Sequence, residues 1–327
     1  MNRNNRARHA ASALPRSSLA GSHELPKALI AVHFYLTKYG KLFTSGDAMN
    51  ILEFTILVAA GSFLAGLLGS LTGLGGGVVL VPLLTLFFKV DIRYAIGASL
   101  VSVIATSSGA AAAYVKEGFS NIRIGMFLEI ATTTGALTGA FLAAFISTKA
   151  LAIIFGLMLL YSAYLSRRPR PRAERNSPPD PLATRLRMNG SFPSEEGGMR
   201  QYNVQHVPTG FSLMFGAGAL SGLLGIGSGA VKVLAMDQAM KIPFKVSTTT
   251  SNFMIGVTAA ASAGVYLARG YVDPGLAMPV MLGVLAGSML GATILVKAET
   301  KVLRLVFSVV IALLGLQMLY KGFTGGI

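Results

Sequence analysis

Long apolar stretches separated by short charged segments dominate the chain from residue 51 onward. Residues 54–88 contain no charged residue, and as one straight helix they would be about 52 Å long, against a hydrocarbon core of about 30 Å. A single unbroken span is therefore excluded. A break is expected at Gly73, Gly75, Gly76 and Gly77, because successive glycines are poor helix formers and tolerate irregular backbone.

Seven further apolar segments follow, and charged residues bound each of them. They cover residues 94–115, 124–145, 150–165, 208–235, 246–268, 274–296 and 302–319. The 327 residues are 53% hydrophobic and only 13% charged, whereas a soluble chain carries about 25% charged residues. The sequence predicts an all-α fold, a polytopic helical membrane protein.

The two halves of the chain repeat each other. The segment Gly73-Leu-Gly-Gly-Gly77 matches Gly225-Ile-Gly-Ser-Gly229 at an offset of 152 residues, without a gap. The same offset pairs Ser99 with Ser251, Tyr114 with Tyr266, Gly118 with Gly270, Gly135 with Gly287 and Gly139 with Gly291. Duplicated halves with interrupted apolar segments in corresponding places are typical of transporters whose binding site lies at the repeat interface.

The basic residues concentrate in the tail and in a central linker. Residues 167–210 hold eight arginines against four acids, and the formal net charge of the chain is +15. The positive-inside rule then places both segments in the cytoplasm and the chain in the cell (inner) membrane as a multi-pass protein. A targeting segment is the alternative interpretation of the first 23 residues.

The predicted organisation has four parts. These are a basic cytoplasmic tail with an interfacial helix (1–50), a first transmembrane repeat (51–166), an Arg/Pro-rich disordered or extended cytoplasmic linker (167–207) and a second transmembrane repeat (208–327). An even number of crossings between tail and linker favours four spans per half, eight in all, with the halves parallel. If each interrupted segment crosses twice, there are five per half and the halves are inverted.

Several function classes are excluded or disfavoured. The chain has no cysteine, and its four histidines lie outside the long apolar segments, so we expect no thiolate or histidine metal centre and no cofactor. No phosphate-binding loop of the ATPase type is present, and Ser228 has no histidine base in any span, so the protein is not expected to be an enzyme. The cations flank apolar runs, which argues against nucleic acid as a partner. The expected partners are a small anion and the lipid bilayer, and homo-oligomer formation stays open.

The combined motifs resemble the TauE/SafE family of membrane transporters, the exporters of sulfite and organosulfonates. The resemblance covers roughly residues 54–322. The motifs that carry it are Gly73-Leu-Gly-Gly-Gly-Val-Val-Leu-Val-Pro82, Ala95-Ile-Gly-Ala-Ser99, Gly225-Ile-Gly-Ser-Gly-Ala-Val-Lys232 and Pro243-Phe-Lys-Val-Ser-Thr-Thr-Thr-Ser-Asn-Phe-Met-Ile-Gly256. The chain departs from the family pattern at Ser228, where a glycine is favoured, and at Leu234, where a proline is favoured.

The glycine breaks are the predicted substrate site. A helix that begins after a break presents unpaired backbone N–H groups and the positive end of its dipole, both of which favour an anion. Hydroxyl and amide side chains would complete the site, although hydrogen bonding between helices is an equal alternative for them. The candidate substrate-binding residues are Gly75, Gly76, Gly77, Ser99, Gly227, Ser228, Gly229, Lys232, Ser251 and Asn252.

Lys232 and Glu129 are charged residues that fall inside apolar segments. Lys232 matches Leu80 in the first half, and an intramembrane cation is a functional hypothesis by default, although it can also snorkel to the interface. Asp237 is a candidate to neutralise it. Glu129 matches Met281, and we interpret it as an interfacial carboxylate, with a buried carrier of a coupling proton as the alternative. The glycines at 135, 139, 287 and 291 form small-residue faces for helix packing.

The predicted function is secondary transport of a small anion, with sulfite or an organosulfonate as the exported substrate that the family resemblance implies. Two other classes stay open. A passive anion channel would use the same donors and the same cation. A non-transporting membrane scaffold would use the Arg-rich linker for docking, so that deletion of residues 170–205 would abolish its function.

Overall fold

Helices form most of the chain that the computed structural model describes, which comprises residues 51–72, 76–116, 120–167, 180–193, 198–295 and 300–326. The predicted tail (1–50) and Gly75 lie outside the described residues. The first half contains α1 (Ile51–Thr72), α2 (Gly77–Leu86), α3 (Ile92–Lys116), α4 (Ile122–Leu142) and α5 (Thr148–Arg167). The helices α1, α3 and α5 end where glycine or charge interrupts an apolar run, as the sequence predicts.

The second half begins after a short linker unit. That unit contains α6 (Pro181–Arg185) and an antiparallel hairpin of β1 (Gly190–Pro193) and β2 (Met199–Tyr202). The second half then contains α7 (Val207–Leu224), α8 (Gly229–Leu234), a π-helical turn (Ala235–Ala239), α9 (Phe244–Ala268), α10 (Pro274–Leu295) and α11 (Thr300–Thr324). Within the described residues, α1, α4, α7, α9 and α10 are long and apolar enough to cross a membrane, in agreement with the predicted polytopic helical fold.

Helix starts recur along the chain at the spacing found in the sequence. The helices α2, α3, α4 and α5 start at residues 77, 92, 122 and 148, and α8, α9, α10 and α11 start at residues 229, 244, 274 and 300, each 152 residues later. The correspondence extends to the packing of the small residues. Gly135 of α4 lies against the backbone carbonyl of Phe215 in α7, and Gly287 of α10 lies against that of Phe63 in α1. A Cβ atom at either glycine would overlap that carbonyl oxygen, so close helix approach requires glycine there.

Each interrupted segment is a helical hairpin, in which the short helix runs back along the long one. In the first half, the rings of Phe54 in α1 and Phe88 after α2 pack edge to face with centroids 5.8 Å apart. In the second half, the backbone N–H of Gln205 before α7 donates to the carbonyl of Met240 after the π turn at 3.0 Å. The start of the long helix therefore lies beside the end of the short one, and the chain returns to the end of the bundle from which it came.

Equivalent helices of the two halves run in opposite directions. At the start of α3, Tyr94 packs against Tyr271, which follows the end of α9, while Ser107 further along α3 lies against Gly256 of α9. In the same way, α5 and α11 pack with Lys149 beside Gly325. Parallel halves would orient equivalent helices alike. The helix directions therefore fit the inverted arrangement rather than the parallel, eight-span arrangement that the positive-inside rule favours.

Side-chain hydrogen bonds identify which segments share an end of the bundle. At one end, the Arg93 guanidinium donates to the Ile146 carbonyl at 3.0 Å, and the Lys321 ammonium donates to the Leu86 carbonyl at 3.2 Å. At the other end, the backbone N–H of Asn121 donates to the Thr250 hydroxyl at 3.1 Å. The linker packs at this second end, so the linker and the last turn of α11 lie at opposite ends.

The described part of the linker is folded, which corrects the expectation of a disordered or extended segment. The Asn121 amide, at the start of α4, donates to the Met188 carbonyl at 3.0 Å and the Tyr202 hydroxyl at 2.7 Å. Met188 and Val204 are buried in one apolar cluster with Ile124 of α4. The expectation of disorder was based on the high content of arginine and proline, and it did not take account of the few apolar residues that attach the linker to α4. Residues 168–179 and 194–197 of the linker lie outside the described residues.

Candidate functional site

The described parts of the two glycine breaks meet inside the bundle. The Ser99 hydroxyl of α3 donates to the Gly225 carbonyl at 2.8 Å, and both groups are buried. A Cβ atom at Gly77 would lie 2.7 Å from the Ser99 hydroxyl oxygen and 3.2 Å from the Gly225 carbonyl oxygen. Only a glycine at position 77 allows this approach. The start of α2 and the break before α8 are therefore neighbours, although they belong to different halves.

The second break has a left-handed backbone at three positions. Gly225 and Gly227 have φ angles of 68° and 70°, which glycine adopts without steric strain. Ser228 also has a positive φ angle, 44°, which is unfavourable for a residue with a Cβ atom. Its counterpart, Gly76, has a φ angle of −64°. The two breaks therefore differ in conformation as well as in sequence.

Ser228 also presents an unsatisfied polar atom. Its side chain is only 3% exposed, and its hydroxyl oxygen has no hydrogen-bond partner among the described residues. Buried hydroxyl groups normally have a partner, because leaving one without a partner is unfavourable by about 1–3 kcal/mol. Strain and an unpartnered hydroxyl at the same residue indicate that the break is shaped for something other than packing.

Lys232 lies one turn beyond Ser228 and is completely buried. Its backbone N–H donates to the Ser228 carbonyl at 3.0 Å, and its side chain has no exposed surface. The ammonium group donates to the Thr258 hydroxyl of α9 at 2.5 Å. Lys232 therefore does not snorkel to a membrane interface, and its positive charge stays inside the bundle beside the break.

Glu129 of α4 is the acid that shares this environment. Its side chain is 9% exposed, and one carboxylate oxygen, Oε1, accepts hydrogen bonds from Thr258 at 2.7 Å and from Thr133 at 2.9 Å. The other oxygen, Oε2, is buried with no partner among the described residues. The interpretation of Glu129 as an interfacial carboxylate is therefore wrong. Its position near the start of the sequence segment does not reveal that the assembled bundle buries it.

Thr258 joins Lys232 to Glu129, and sequence reasoning did not select it. Its hydroxyl oxygen accepts from the lysine, lies within hydrogen-bonding distance of the glutamate, and is fully buried. The offset of 152 residues pairs Thr258 with Thr106, a signal that could have singled it out. Asp237, the acid proposed from the sequence to neutralise Lys232, is half-buried in the π turn. The hydrogen-bonded chain described here leads from Lys232 to Glu129.

The other predicted site residues have the following positions. Ser251 donates to the Gly229 carbonyl at 3.4 Å, so it attaches α9 to the second break in the way that Ser99 attaches α3. Gly76 precedes α2 as its N-cap, and Gly229 starts α8. Asn252 is half-buried on α9. The structure thus brings Gly77, Ser99, Ser228, Gly229, Lys232 and Ser251 into one buried region around the breaks.

Comparison with known proteins identifies the family. The family model described as "Sulfite exporter TauE/SafE" matches residues 58–318. The probable membrane transporter protein YunE of Bacillus subtilis is 31% identical over 279 residues, which cover 83% of this chain and 99% of the relative. YdhB of the same organism, also named a probable membrane transporter protein, is 27% identical over 266 residues, covering 81% of this chain and 100% of the relative.

A similar protein is found in a second organism. A probable membrane transporter protein of Methanocaldococcus jannaschii is 27% identical over 285 residues, covering 82% of this chain and 96% of the relative. No solved structure matches the chain. The family match extends from α1 into α11 and includes both breaks and the charged pair. The chain therefore belongs to the TauE/SafE sulfite exporter family of membrane transporters.

Proposed function

We propose that the protein is a secondary transporter that exports small anions, with sulfite or an organosulfonate as the substrate class. The observation that carries the proposal is the fully buried ammonium group of Lys232 next to the second glycine break. A cation in the interior of a membrane bundle is energetically unfavourable and is retained where it binds or moves an ion. The family name and the names of the relatives support transport and leave the substrate to be measured.

The break supplies further groups that suit an oxyanion. The Ser228 hydroxyl is a donor without a partner among the described residues, one helical turn before Lys232. The first turn of a helix also presents backbone N–H groups, and α2 starts at Gly77, against the Gly225 carbonyl of the other break. Neutral donors around one cation can hold a sulfite or sulfonate group without adding charge to the site.

The fold supports an alternating-access mechanism. Equivalent helices are antiparallel, and the breaks of the two halves meet in the interior, which is the arrangement of transporters with inverted repeats. We propose ten membrane-inserted helical segments, five per half, in which α2 and α8 return only part of the way. Rocking of one half against the other would then expose the breaks to each side in turn.

The direct test is flux of labelled sulfite into proteoliposomes, with protein-free vesicles as the blank. We expect saturable flux from the parent protein. The variant Lys232→Gln should lower the apparent affinity about 10- to 100-fold, since a charge-assisted hydrogen bond contributes about 1.5–3 kcal/mol. Lys241→Gln is the matched control, because Lys241 is an exposed lysine in the turn after the same segment.

Each result separates the candidate functions. Equal loss in Lys232→Gln and Lys241→Gln would show that general positive charge, not the buried site, draws the anion. Flux that does not saturate would identify a passive channel. Absence of flux for sulfite and a panel of sulfonates, in correctly inserted protein, would overturn the proposal.

The scaffold alternative needs a different test from the deletion of residues 170–205. That deletion removes the contacts of Met188 and Tyr202 with Asn121, and it exposes the apolar cluster at the start of α4. Loss of function in the deletion variant would therefore not distinguish docking from damage to the bundle. Exchange of exposed arginines in the linker, such as Arg185→Gln with Arg200→Gln, leaves those anchors in place and tests docking alone.

A further inference from the structure

We propose that each transported monoanion binds together with one proton, which is taken up by the Glu129 carboxylate, so that the protein is an electroneutral anion–proton cotransporter. Its net direction then follows the sum of the anion and proton gradients, and export requires an outward anion gradient that exceeds any inward proton gradient. The inference rests on the proposed anion transport and specifies its coupling. Its basis is the buried chain from Lys232 through Thr258 to Glu129. The chain carries one positive and one negative charge and lies in the interior of the bundle.

Charge balance is the first step of the argument. Without substrate, the lysine and the glutamate neutralise each other, and the region has no net charge. A bound monoanion makes the net charge −1, which is strongly unfavourable in a low-dielectric interior. A proton from the water on the side where the anion enters forms an O–H bond with Glu129, and the net charge returns to zero. The empty and the loaded carrier are then both neutral when they reorient.

The hydrogen bonds at Glu129 leave a place for this proton. Its Oε1 atom accepts from Thr258 and Thr133, whereas its Oε2 atom is buried and has no partner among the described residues. Protonation at Oε2 keeps both hydrogen bonds to Oε1. It also removes the negative charge that attracts the Lys232 ammonium group, which is then available to the anion.

The surroundings provide few competing charges. On the helices packed against α4, residues 207–224 of α7 contain no Asp, Glu, Lys, Arg or His. On α9, Lys245 and Tyr266 lie 13 and 8 residues from Thr258, which is about 20 Å and 12 Å along a helix. On α4 itself, Arg123 is exposed and lies six residues before Glu129. In the π turn after α8, Asp237 is half-buried. Lys232 is the charged group that the described hydrogen bonds connect to Glu129.

Neither charge has a charged counterpart at the corresponding position of the opposite half. The offset of 152 residues pairs Lys232 with Leu80, Thr258 with Thr106 and Glu129 with Met281. The threonine is present in both halves, but the cation and the anion occur only together and only once. This is expected if the two charges act as one neutral unit. The corresponding residues, leucine for Lys232 and methionine for Glu129, are apolar substitutions that can test each charge.

The experiment measures proton and anion movement in the same proteoliposomes. The probe is labelled methanesulfonate, because its single negative charge is permanent and any proton that moves is then carried by the protein. An enclosed pH-sensitive dye reports protons, and potassium with valinomycin clamps the membrane potential. We expect a proton-to-anion ratio near one, flux that rises with acidity on the loading side, and no dependence on the potential.

Two variants assign the proton to Glu129. Glu129→Gln resembles the protonated state and retains an acceptor for Thr258, so we expect anion exchange to persist while proton movement and pH dependence fall to near zero. Asp237→Asn removes a neighbouring acid and should keep the ratio near one. If Glu129→Gln does not fold, Glu129→Asp keeps a carboxylate and should also retain the ratio.

The outcomes distinguish this inference from the proposed function. Methanesulfonate flux that depends on the potential and moves no proton would overturn the coupling and leave a transporter. Unchanged proton movement in Glu129→Gln would assign the proton elsewhere, and sulfite flux without methanesulfonate flux would exclude a site for a permanent monoanion. Absence of flux for every anion would overturn both proposals.

Discussion

The ammonium group of Lys232 and the carboxylate of Glu129 share a single hydroxyl group, that of Thr258. The glutamate belongs to the first half of the chain and the lysine to the second, and neither is accessible enough to be hydrated like a surface ion. Each charge depends on the other, because a buried ion without its partner is strongly destabilising. Removal of either partner alone should therefore destabilise the protein.

This dependence predicts non-additive effects of substitution. Lys232→Leu and Glu129→Met, the residues of the other half, should each destabilise the protein by about 3–5 kcal/mol, because each leaves one buried charge uncompensated. The double variant should be more stable than either single variant. Thermal unfolding in detergent of the parent and the three variants measures the coupling. Additive losses would show that the two charges do not interact.

The contact between α4 and α7 predicts a sharp contrast between two glycines on the same helix. A Cβ atom at Gly222 would overlap the Ala136 carbonyl, whereas one at Gly216 would meet nothing within 4 Å. Gly222→Ala should therefore separate the helices and lower the unfolding temperature by several degrees, which corresponds to about 1–3 kcal/mol. Gly216→Ala should be neutral or slightly stabilising. Similar unfolding temperatures for both variants would contradict the close packing.

The strained serine in the second break predicts opposite effects on stability and binding. Ser228→Gly removes a Cβ atom from a residue with a φ angle of 44°, so the unfolding temperature should not fall. It also removes the unpartnered hydroxyl, so sulfite affinity should weaken about 2- to 10-fold, the value of one net hydrogen bond. Concentration-dependent flux and thermal unfolding test the two effects separately. Unchanged affinity would remove Ser228 from the proposed site.

The linker is expected to loosen at low pH through Asp180. Its carboxylate accepts from the backbone N–H groups of Leu182 at 2.8 Å and Val207 at 3.1 Å, and these bonds lower its pKa from the usual 3.8. A lowered pKa means that the stabilisation is complete above pH 3.8 and disappears as the pH falls through the folded-state value.

Hydrogen exchange of residues 198–206 between pH 5 and pH 3 measures this effect, after correction for the intrinsic pH dependence of exchange. Protection should fall in the acid part of this range. Asp180→Ala should lose that protection already at neutral pH, and Asp180→Asn, which keeps one acceptor, should lose less. Full protection in Asp180→Ala would show that the apolar anchors alone hold the linker.

The inverted arrangement makes a prediction about sidedness. The chain has no cysteine, so a thiol reagent labels only the single cysteine that is introduced. Ser191→Cys in the linker and Thr324→Cys at the end of α11 replace exposed residues at opposite ends of the bundle. In intact cells, an impermeant maleimide should label Thr324→Cys and not Ser191→Cys, because the positive-inside rule predicts that the arginine-rich linker faces the cytoplasm. Parallel halves with eight spans would place both on the same side.

Local patterns carried most of the information about the helices. The charge-free run of residues 54–88 predicted a broken segment, and the structure has a hairpin of α1 and α2 there. The positions of Gly225 and Gly227 predicted the second break, where both residues have positive φ angles. Apolar runs and glycines act on the backbone near them, so their effects are visible without knowledge of the fold.

The linker and Glu129 show why other predictions failed. Arginine and proline content suggested disorder, but Met188 and Val204 pack against α4, which is distant in sequence. Glu129 lies near the start of its apolar segment, yet neighbouring elements bury it. Burial is a property of the assembled structure, and the position of a residue within its own helix does not determine it.

The sequence by itself determined the membrane class, the helical architecture and both glycine breaks, because hydrophobicity and backbone preference are local properties. Only the tertiary structure decided that the breaks meet through Ser99 and Gly225, that equivalent helices are antiparallel, and that Thr258 joins Lys232 to Glu129. The residues in these contacts are far apart in the sequence: Ser99 and Gly225 are 126 positions apart, and Lys232 and Thr258 are 26 positions apart. These contacts depend on how helices pack, which the local pattern of residues does not specify.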